Sequence, residues 1–500
     1  MNKILLFNPR SAVGKHRIPN SILSIAASID GKYEWTIVDG NCEADPYARL
    51  AAHLGTGHYR YVGFTVMPGP QLRQAIPFAR QIRQDFPGTI MIWGGYFPAN
   101  HYKVVLSSGY VDFVVNGPGD NAFPKLIDAL EHNRPHELIK NLIYPSGGQF
   151  IKTPKEELLD QDSLPSLPYD KLNEIYPVDR FYLGRTYLGK RTAAYHSSIG
   201  CPFTCSFCGV VPIYEARWKA RSADLIYRDV KYLKDRWGAD SIEFHDNNFF
   251  VSEKRTTEFA GLIRPESMNW WGMARIDTMS KFKDSTLALM REAGCRIIFF
   301  GAESGSTDIL KKMDKGGTQT GEQIEAFAAR MKKFDIVPEY SFVLGTPAPT
   351  PKEVKQQIDF EIGFVKKIKK INPHTEIILY TYSPVPTEGS ELYNAVLENG
   401  FSFPKTLDDW ISPQWENFDL RRNPLTPWLE PAMVDRIRDF ETVLNGYYPT
   451  VTDIRLSNTR RKLIRLLSGA RYRLGMYSRP YEIRFLQRLW QYRRPETQGF

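Results

Sequence analysis

The 500-residue chain is poor in cysteine, with five, and three of these, Cys201, Cys205 and Cys208, fall within eight residues. An odd number so crowded excludes a disulfide framework and favours a reducing compartment with a metal site. The chain also lacks any apolar run near the ~18 to 20 residues of a membrane span. Its opening, MNKILLFNPRSAVGKH, is too short and too soon interrupted for a secretory signal, so a cytoplasmic location is expected. Low-complexity tracts are missing too, and a hydrophobic content of 42% with 13% aromatics excludes a disordered or collagen-like chain. Finally, most of the chain lacks a charge excess. Residues 1–450 hold 53 basic and 53 acidic side chains, and the whole net charge of +9 sits in residues 451–500.

What is present is length enough for two or three domains of about 100 to 200 residues each. Residues 3–130 alternate short apolar runs, KILLFNP, EWTIVDG, YVGFTVM, TIMIWGG and VDFVVNG, with helical stretches such as 70–85. Runs of that kind suit buried strands of a parallel sheet, and five of them predict a doubly wound five-stranded domain over 1–135. In such sheets ligands bind beyond the strand C-terminal ends, where Asp39, Thr65, Gly69, Gly94, Gly95, Gly117 and Gly119 stand. Residues 136–190 are less periodic and read as a connector. A second series follows in 191–392: TAAYHSSIG, SIEFHDN, NWWGMAR, RIIFFGAES, VPEYSFVLG and HTEIILYTYSP. Six strand and helix units predict a partial (β/α) barrel whose strand C-terminal ends carry the chemistry. Residues 393–500 read as a mixed, mostly helical C-terminal region.

Cys201, Cys205 and Cys208 form CxxxCxxC directly after the first strand of the second series. Thiolates are the usual ligands of iron-sulfur clusters, and close spacing lets one loop wrap a cubane. Three local ligands leave one iron of a [4Fe-4S] cluster open to substrate or cofactor. The competing readings are a zinc site, which normally wants four protein ligands, or unrelated buried thiols; Cys42 and Cys295 offer no second CxxC.

With Phe207 before the last cysteine, this motif at the head of a six-unit barrel resembles the radical S-adenosylmethionine (SAM) superfamily over 192–390. The resemblance implies that the open iron chelates SAM and that an electron from the cluster splits it into methionine and a 5′-deoxyadenosyl radical. It further implies SAM contacts at Phe207 in the cysteine loop, Asp246 after the second strand, Arg275 after the third, Glu303 and Ser304 after the fourth, and Gly345 after the fifth. An Arg suits a carboxylate through charge-assisted pairing. Each has a plain alternative: Asp246 as a helix cap, Arg275 and Glu303 as partners in structural ion pairs.

The segments Val62–Gly69, Ile92–Pro98 and Val111–Asp120 resemble cobalamin-binding domains that precede radical SAM barrels. The resemblance places cobalamin against Asp39, Gly63, Thr65, Val66, Gly69, Gly94, Gly95, Gly117 and Gly119, where glycine allows the backbone close to a bulky ring. Two departures stand out. No DxHxxG is present, so the corrin's lower face should lack a His from this loop, and Gly117-Pro118-Gly119-Asp120 replaces an acidic Gly-Glu-Gly-Glu. A domain that has lost this ligand, or binds another, is the competing reading.

In 459–494 cations alternate with apolar and aromatic residues: Ile483, Phe485, Leu486, Leu489, Trp490 and Tyr492 against Arg484 and Arg488, and Leu463, Ile464, Leu466 and Leu467 against Arg461, Lys462 and Arg465. Such helices either lie in a membrane interface or pack their apolar face on the barrel. With no RNA-binding module beside it, nucleic acid is the weakest reading.

The resemblance thus implies a cobalamin-dependent radical SAM enzyme, foremost a C-methyltransferase on an unactivated carbon of a small or lipid-like substrate. One SAM would methylate cob(I)alamin and a second would supply the radical that abstracts a substrate hydrogen, with flavodoxin or ferredoxin as electron donor. A radical cyclase or rearrangement enzyme would use the same parts, and a cobalamin- or cluster-binding sensor without turnover is the alternative of another class. His196, His245, Tyr380 and Tyr382 are candidate substrate-side groups, each as readily structural.

Overall fold

The apolar runs become strands of two parallel sheets in the computed structural model, which describes residues 3–11, 17–313, 319–386, 390–416 and 425–492. The first sheet contains β1 (Lys3–Asn8), β2 (Trp35–Asp39), β3 (Tyr59–Thr65), β4 (Ile90–Gly94) and β5 (Phe113–Val115), followed by β6 (Leu142–Ser146) and β7 (Gln149–Lys152). Its order is β2-β1-β3-β4-β5-β6-β7. The five expected strands are all parallel, and the order reverses at β1, so the switch point lies between the ends of β1 and β3. β6 and β7 are an addition: this antiparallel hairpin lies in the segment read as connector and extends the sheet beyond β5.

The second region opens with β8 (Thr192–Tyr195), a short antiparallel ribbon of β9 (Ser198–Gly200) with β10 (Trp218–Ala220), and then β11 (Ser241–Phe244), β12 (Asn269–Ala274), β13 (Cys295–Glu303), β14 (Val337–Leu344) and β15 (Glu376–Thr381). Its six-stranded sheet runs β15-β14-β13-β12-β11-β8, all parallel and open at both edges, which is a partial barrel. The expected single strand 192–200 is broken at His196 and Ser197. There the Asp246 carboxylate accepts the Ser197 N–H at 2.6 Å in place of a ladder partner, and the chain turns out into the ribbon.

One apolar core runs through all regions, from Ile4 and Leu6 of the first sheet through Ile242 and Phe300 of the barrel to Ile464 and Ile483 near the C-terminus. The domains are stitched directly: Asn20 Nδ2 donates to Ala194 O at 3.0 Å, and Arg17 pairs with Glu243 of β11 at 2.8 Å. The C-terminal region is helical, with Pro431–Tyr447, Asn458–Leu474 and Tyr481–Leu489 as its main helices. An earlier part of it returns to the first domain, where Trp410 meets Phe97 at a ring distance of 5.0 Å.

Candidate active site

The cysteine loop leaves the barrel through the β9–β10 ribbon. Gly200 sits at φ 73°, and a Cβ there would stand 2.1 Å from Arg217 O, so the ribbon closes only with glycine at its end. Ser206 anchors the loop to the barrel through N–H to Met313 O (3.0 Å) and Oγ to Lys312 O (3.1 Å). The first domain anchors it from the other side. Asn100 Nδ2 donates to Gly209 O at 3.2 Å, and Tyr96 Oη donates to Asn247 Oδ1 at 2.7 Å. The Tyr96 phenol is pushed well up by burial first, then by Tyr214, Cys208 and Cys201, so it stands beside the cysteines.

Burial pushes the Cys208 thiol up to about 12, with Cys205, Cys201 and the Glu303 carboxylate adding to the effect. The three thiols and Glu303 therefore share one electrostatic neighbourhood. Among the described residues no three His, Cys, Asp or Glu side chains converge as the ligands of one ion would. The donor set, three thiols along one loop, fits an iron-sulfur cluster, in which each thiolate takes a different iron. Metal binding supplies the deprotonation that burial opposes.

Asp246 ends up behind the loop. Its carboxylate accepts from Ser197 N–H and from Ser198 Oγ at 2.7 Å, with Arg255 at 3.9 Å, so it ties the end of β11 to the start of the cysteine loop. Arg275 follows β12 and is held by Asp277 in a bidentate pair at 3.0 and 2.7 Å. Its Nη1 donates to Cys205 Sγ at 3.1 Å, and its guanidinium lies 3.8 Å over the Phe203 ring. The cation is thus fixed against the cluster ligands.

Glu303 ends β13 in the left-handed region at φ 62°, a conformation that a non-glycine residue holds only when its surroundings impose it. They do so through Glu361 of helix Pro351–Ile371, which accepts from the Ser304 hydroxyl and, at 2.9 Å, from Gly305 N–H. Ser304 is fully buried in that contact. Gly345, at φ 75°, lies under Leu429, which a Cβ would meet at 2.5 Å, and its carbonyl accepts from Trp428 Nε1 at 2.8 Å. Phe207 is half-buried against the core.

Over the first sheet, Gly69 (φ 90°) has nothing within 4 Å of a built Cβ, and Gly94 has only Val115 at 3.8 Å. These two open positions, beside half-buried Thr65 and exposed Met67, lie over the ends of β3 and β4 next to the switch point and fit a corrin approaching the backbone. Other expected contacts serve the fold. Gly63 lies under Leu6 and Phe123, Gly119 faces Ile25 at 2.5 Å, Gly95 (φ 104°) faces Val66 O at 2.7 Å and Gly117 faces Asn141 at 3.3 Å, all close packing inside the protein. Val66 is buried. Asp39 is enclosed by Asn8, Asn41 and the connector's Tyr182, whose hydroxyl donates to it at 2.9 Å.

His196 follows β8 at the barrel mouth, with an exposed edge but with protein packed closely around its ring. Desolvation and His245, 6.2 Å away between ring centres, push its imidazole down to about 4. His245 itself lies 3.2 Å from Glu243. Tyr382 is buried beside Trp428 and belongs to the core, whereas Tyr380 is half-buried. Sequence reasoning did not single out Tyr96, Asn100, Asp277 or Glu361. Asp277 lay two residues beyond Arg275 and Tyr96 one residue beyond a glycine pair, but no spacing links Glu361 to Ser304.

Open glycine positions at the strand ends of a doubly wound sheet, joined through helix Tyr96–Asn100 to a three-thiol loop at the mouth of a partial barrel, define a class of radical enzyme that pairs a corrin site with an iron-sulfur site. Family models agree: residues 195–360 match the radical SAM superfamily and residues 12–127 the B12 binding domain. The chain carries a radical SAM domain preceded by a B12-binding domain, so its cofactors are a [4Fe-4S] cluster, SAM and cobalamin. It is 27% identical to an uncharacterized methyltransferase of Pyrococcus horikoshii, over 72% of this chain and 77% of that one. It is also 27% identical to an anaerobic magnesium-protoporphyrin IX monomethyl ester cyclase of Synechocystis, over 63% of each chain. Among solved structures, the cobalamin-dependent SAM radical enzyme OxsB superposes with a TM-score of 0.70 at 14% identity, covering 98% of this chain and 79% of that one; this likeness speaks for the fold.

Proposed function

We propose that the protein is a cobalamin-dependent radical SAM methyltransferase acting on an unactivated carbon of a small molecule. The observation that carries this reading is the meeting of the two cofactor regions: helix Tyr96–Asn100, continuing from Gly94 and Gly95 at the edge of the corrin cradle, is hydrogen-bonded to the cysteine loop and to Asn247. When bound, the cluster and SAM supply a radical that removes a substrate hydrogen, and the corrin supplies the methyl group that replaces it.

The chain's own residues hold and shield. Cys201, Cys205 and Cys208 hold the cluster. Arg275, fixed by Asp277, keeps positive charge beside Cys205, where it offsets the negative charge of the cluster ligands. Asp246 orients the loop through Ser197 and Ser198, and Glu361 fixes the turn after Glu303 through Ser304 and Gly305. Trp428 and Leu429 close the fifth-strand end against water.

The test is reduced, anaerobically reconstituted protein supplied with SAM and cobalamin. Methyl transfer to cobalamin releases S-adenosylhomocysteine, and radical formation releases 5′-deoxyadenosine; both are expected. Deoxyadenosine alone would favour a cyclase or rearrangement, as the name of the Synechocystis relative would suggest, and neither product would reduce the chain to a cofactor-binding sensor. The finer reading is a lipid-like substrate met by a cytoplasmic enzyme in peripheral contact with the membrane and reduced by a flavodoxin- or ferredoxin-type donor. It is supported by the confinement of the basic excess to a C-terminal segment with exposed apolar residues. No helix of the described residues is long and apolar enough to cross a membrane.

A further inference from the structure

The two readings of the C-terminal segment, packing and membrane contact, turn out to concern different faces of the same helices. On helix Asn458–Leu474 the stripe Ile464, Ser468 and Tyr472 is buried. Opposite it run Leu463, Leu466, Leu467, Ala470 and Leu474, at i, i+3, i+4, i+7 and i+11, one stripe by the 3.6 period and exposed throughout. Leu466 is 76% and Leu474 71% exposed. On helix Tyr481–Leu489, Ile483 is buried while Tyr481, Phe485 and Leu489, at i, i+4 and i+8, are 65%, 64% and 60% exposed. The helices are held together by an Arg471–Glu482 ion pair, and Arg455 Nη1 donates to Gln491 O at 3.1 Å beside them.

Packing has therefore consumed one apolar face of each helix and left a second. The charges around the second face are of one sign. By the wheel, Arg460 and Arg471 flank the leucine stripe on one side and Lys462 and Arg473 on the other, and the only acids between 451 and 492 are Asp453 and Glu482. Asp453 is buried and accepts from Thr450 N–H at 2.8 Å, and the exposed Glu482 is neutralised by its ion pair with Arg471.

We propose that these two stripes form one docking face for an anionic lipid bilayer, with the helices lying parallel to the membrane, leucines and Phe485 in the acyl boundary and the flanking cations among the phosphates. An apolar ridge bordered on both sides by cations is complementary to that surface, where hydrocarbon lies beneath negative charge. A protein partner of matching shape would need acids spaced along both rims. The inference rests on the peripheral-membrane reading above and gives it its residues.

The experiment is flotation of the full-length protein with vesicles of phosphatidylcholine containing one third phosphatidylglycerol, against phosphatidylcholine alone. The wild type should float with the anionic vesicles, less so at high salt. Leu466→Glu with Leu474→Glu should abolish flotation, and Arg460→Gln, Lys462→Gln and Arg473→Gln should each lower partitioning by about fivefold. A wild type that stays at the bottom, or a Leu466→Glu/Leu474→Glu variant that floats unchanged, overturns the proposal. So does a wild-type dimer in solution that this variant splits into monomers, since the face would then be a subunit interface. Iron content and SAM cleavage, measured in the same variants, should equal the wild type's; their absence in the wild type would fell the enzymatic reading and leave the flotation result standing.

Discussion

Glu361 is a carboxylic acid buried at 1% exposure, whose neighbours on the 304–306 turn are a hydroxyl and backbone N–H groups. Burial outweighs these donors and lifts it from 4.5 to about 7. The native state therefore keeps the proton between pH 4.5 and 7, where the unfolded chain gives it up, so this group's contribution to stability is present at the acid end and lost as pH rises to 7. The loss is on the order of 2 to 3 kcal/mol. Thermal melts of Glu361→Gln should lack this fall across that window; a variant that melts with the wild-type pH slope would refute the assignment. Glu361→Ala, which leaves the Ser304 and Gly305 donors without their acceptor, should cost about 1 to 3 kcal/mol near pH 4.5, and the cost should shrink towards pH 7 as the wild type loses the contribution of its protonated carboxyl. It should also loosen SAM binding, read by equilibrium dialysis, because Glu303 is no longer held at its positive φ. The cysteines respond differently: Cys201→Ala, Cys205→Ala and Cys208→Ala in combination should leave the melt of the apoprotein little changed while iron content and SAM cleavage vanish.

At the scale of the element, the ribbon of β9 and β10 decides where the cysteine loop starts. Gly200→Ala forces a side chain onto Arg217 O at a positive φ, so the ribbon must open. The expected result is reconstituted protein that loses iron faster on gel filtration than the wild type, with near-native circular dichroism. In the first domain the loop Met67-Pro68-Gly69-Pro70-Gln71 beyond β3 carries no histidine. Cobalamin reduced by one electron and bound to the protein should therefore show an EPR spectrum without nitrogen splitting from a protein imidazole; such splitting would place the corrin elsewhere. These elements differ in how far they could be read beforehand. The eleven parallel strands stood out because each is an apolar run ending at Gly, Pro, Asp or another polar residue, and the cysteine spacing is local. The β6–β7 hairpin did not, because Leu142, Ile143 and Tyr144 are its only buried apolar run and β7 is largely exposed. Asp246, Ser304 and Gly345 were correctly placed at strand ends, but which of their atoms face a cofactor depends on Ser197, Glu361 and Leu429, partners distant in sequence.

For the whole molecule, the C-terminal region acts as a clamp over the junction of the two cofactor domains. Trp410 stands 5.0 Å from Phe97 and 4.7 Å from His101, on either side of Asn100, while Arg80 of the first domain pairs with Asp408. Phe403 and Trp415 continue the contact into the core shared with the barrel. The same burial pushes His101 down to about 4, so this aromatic cluster stays uncharged at neutral pH. Trp410→Ala removes the ring that Phe97 and His101 pack on and should cost about 3 to 5 kcal/mol. Because Phe97 and His101 sit on the segment that carries Tyr96 and Asn100, the cost falls on the alignment of the corrin cradle with the cysteine loop. Calorimetry should then separate a lower-melting first domain from the barrel, where the wild type melts as one unit. Cobalamin retention should drop while iron content holds, since every cluster thiol belongs to the barrel side. Equal loss of both cofactors would mean that the clamp supports the whole fold, and equal retention that the domains hold each other without it.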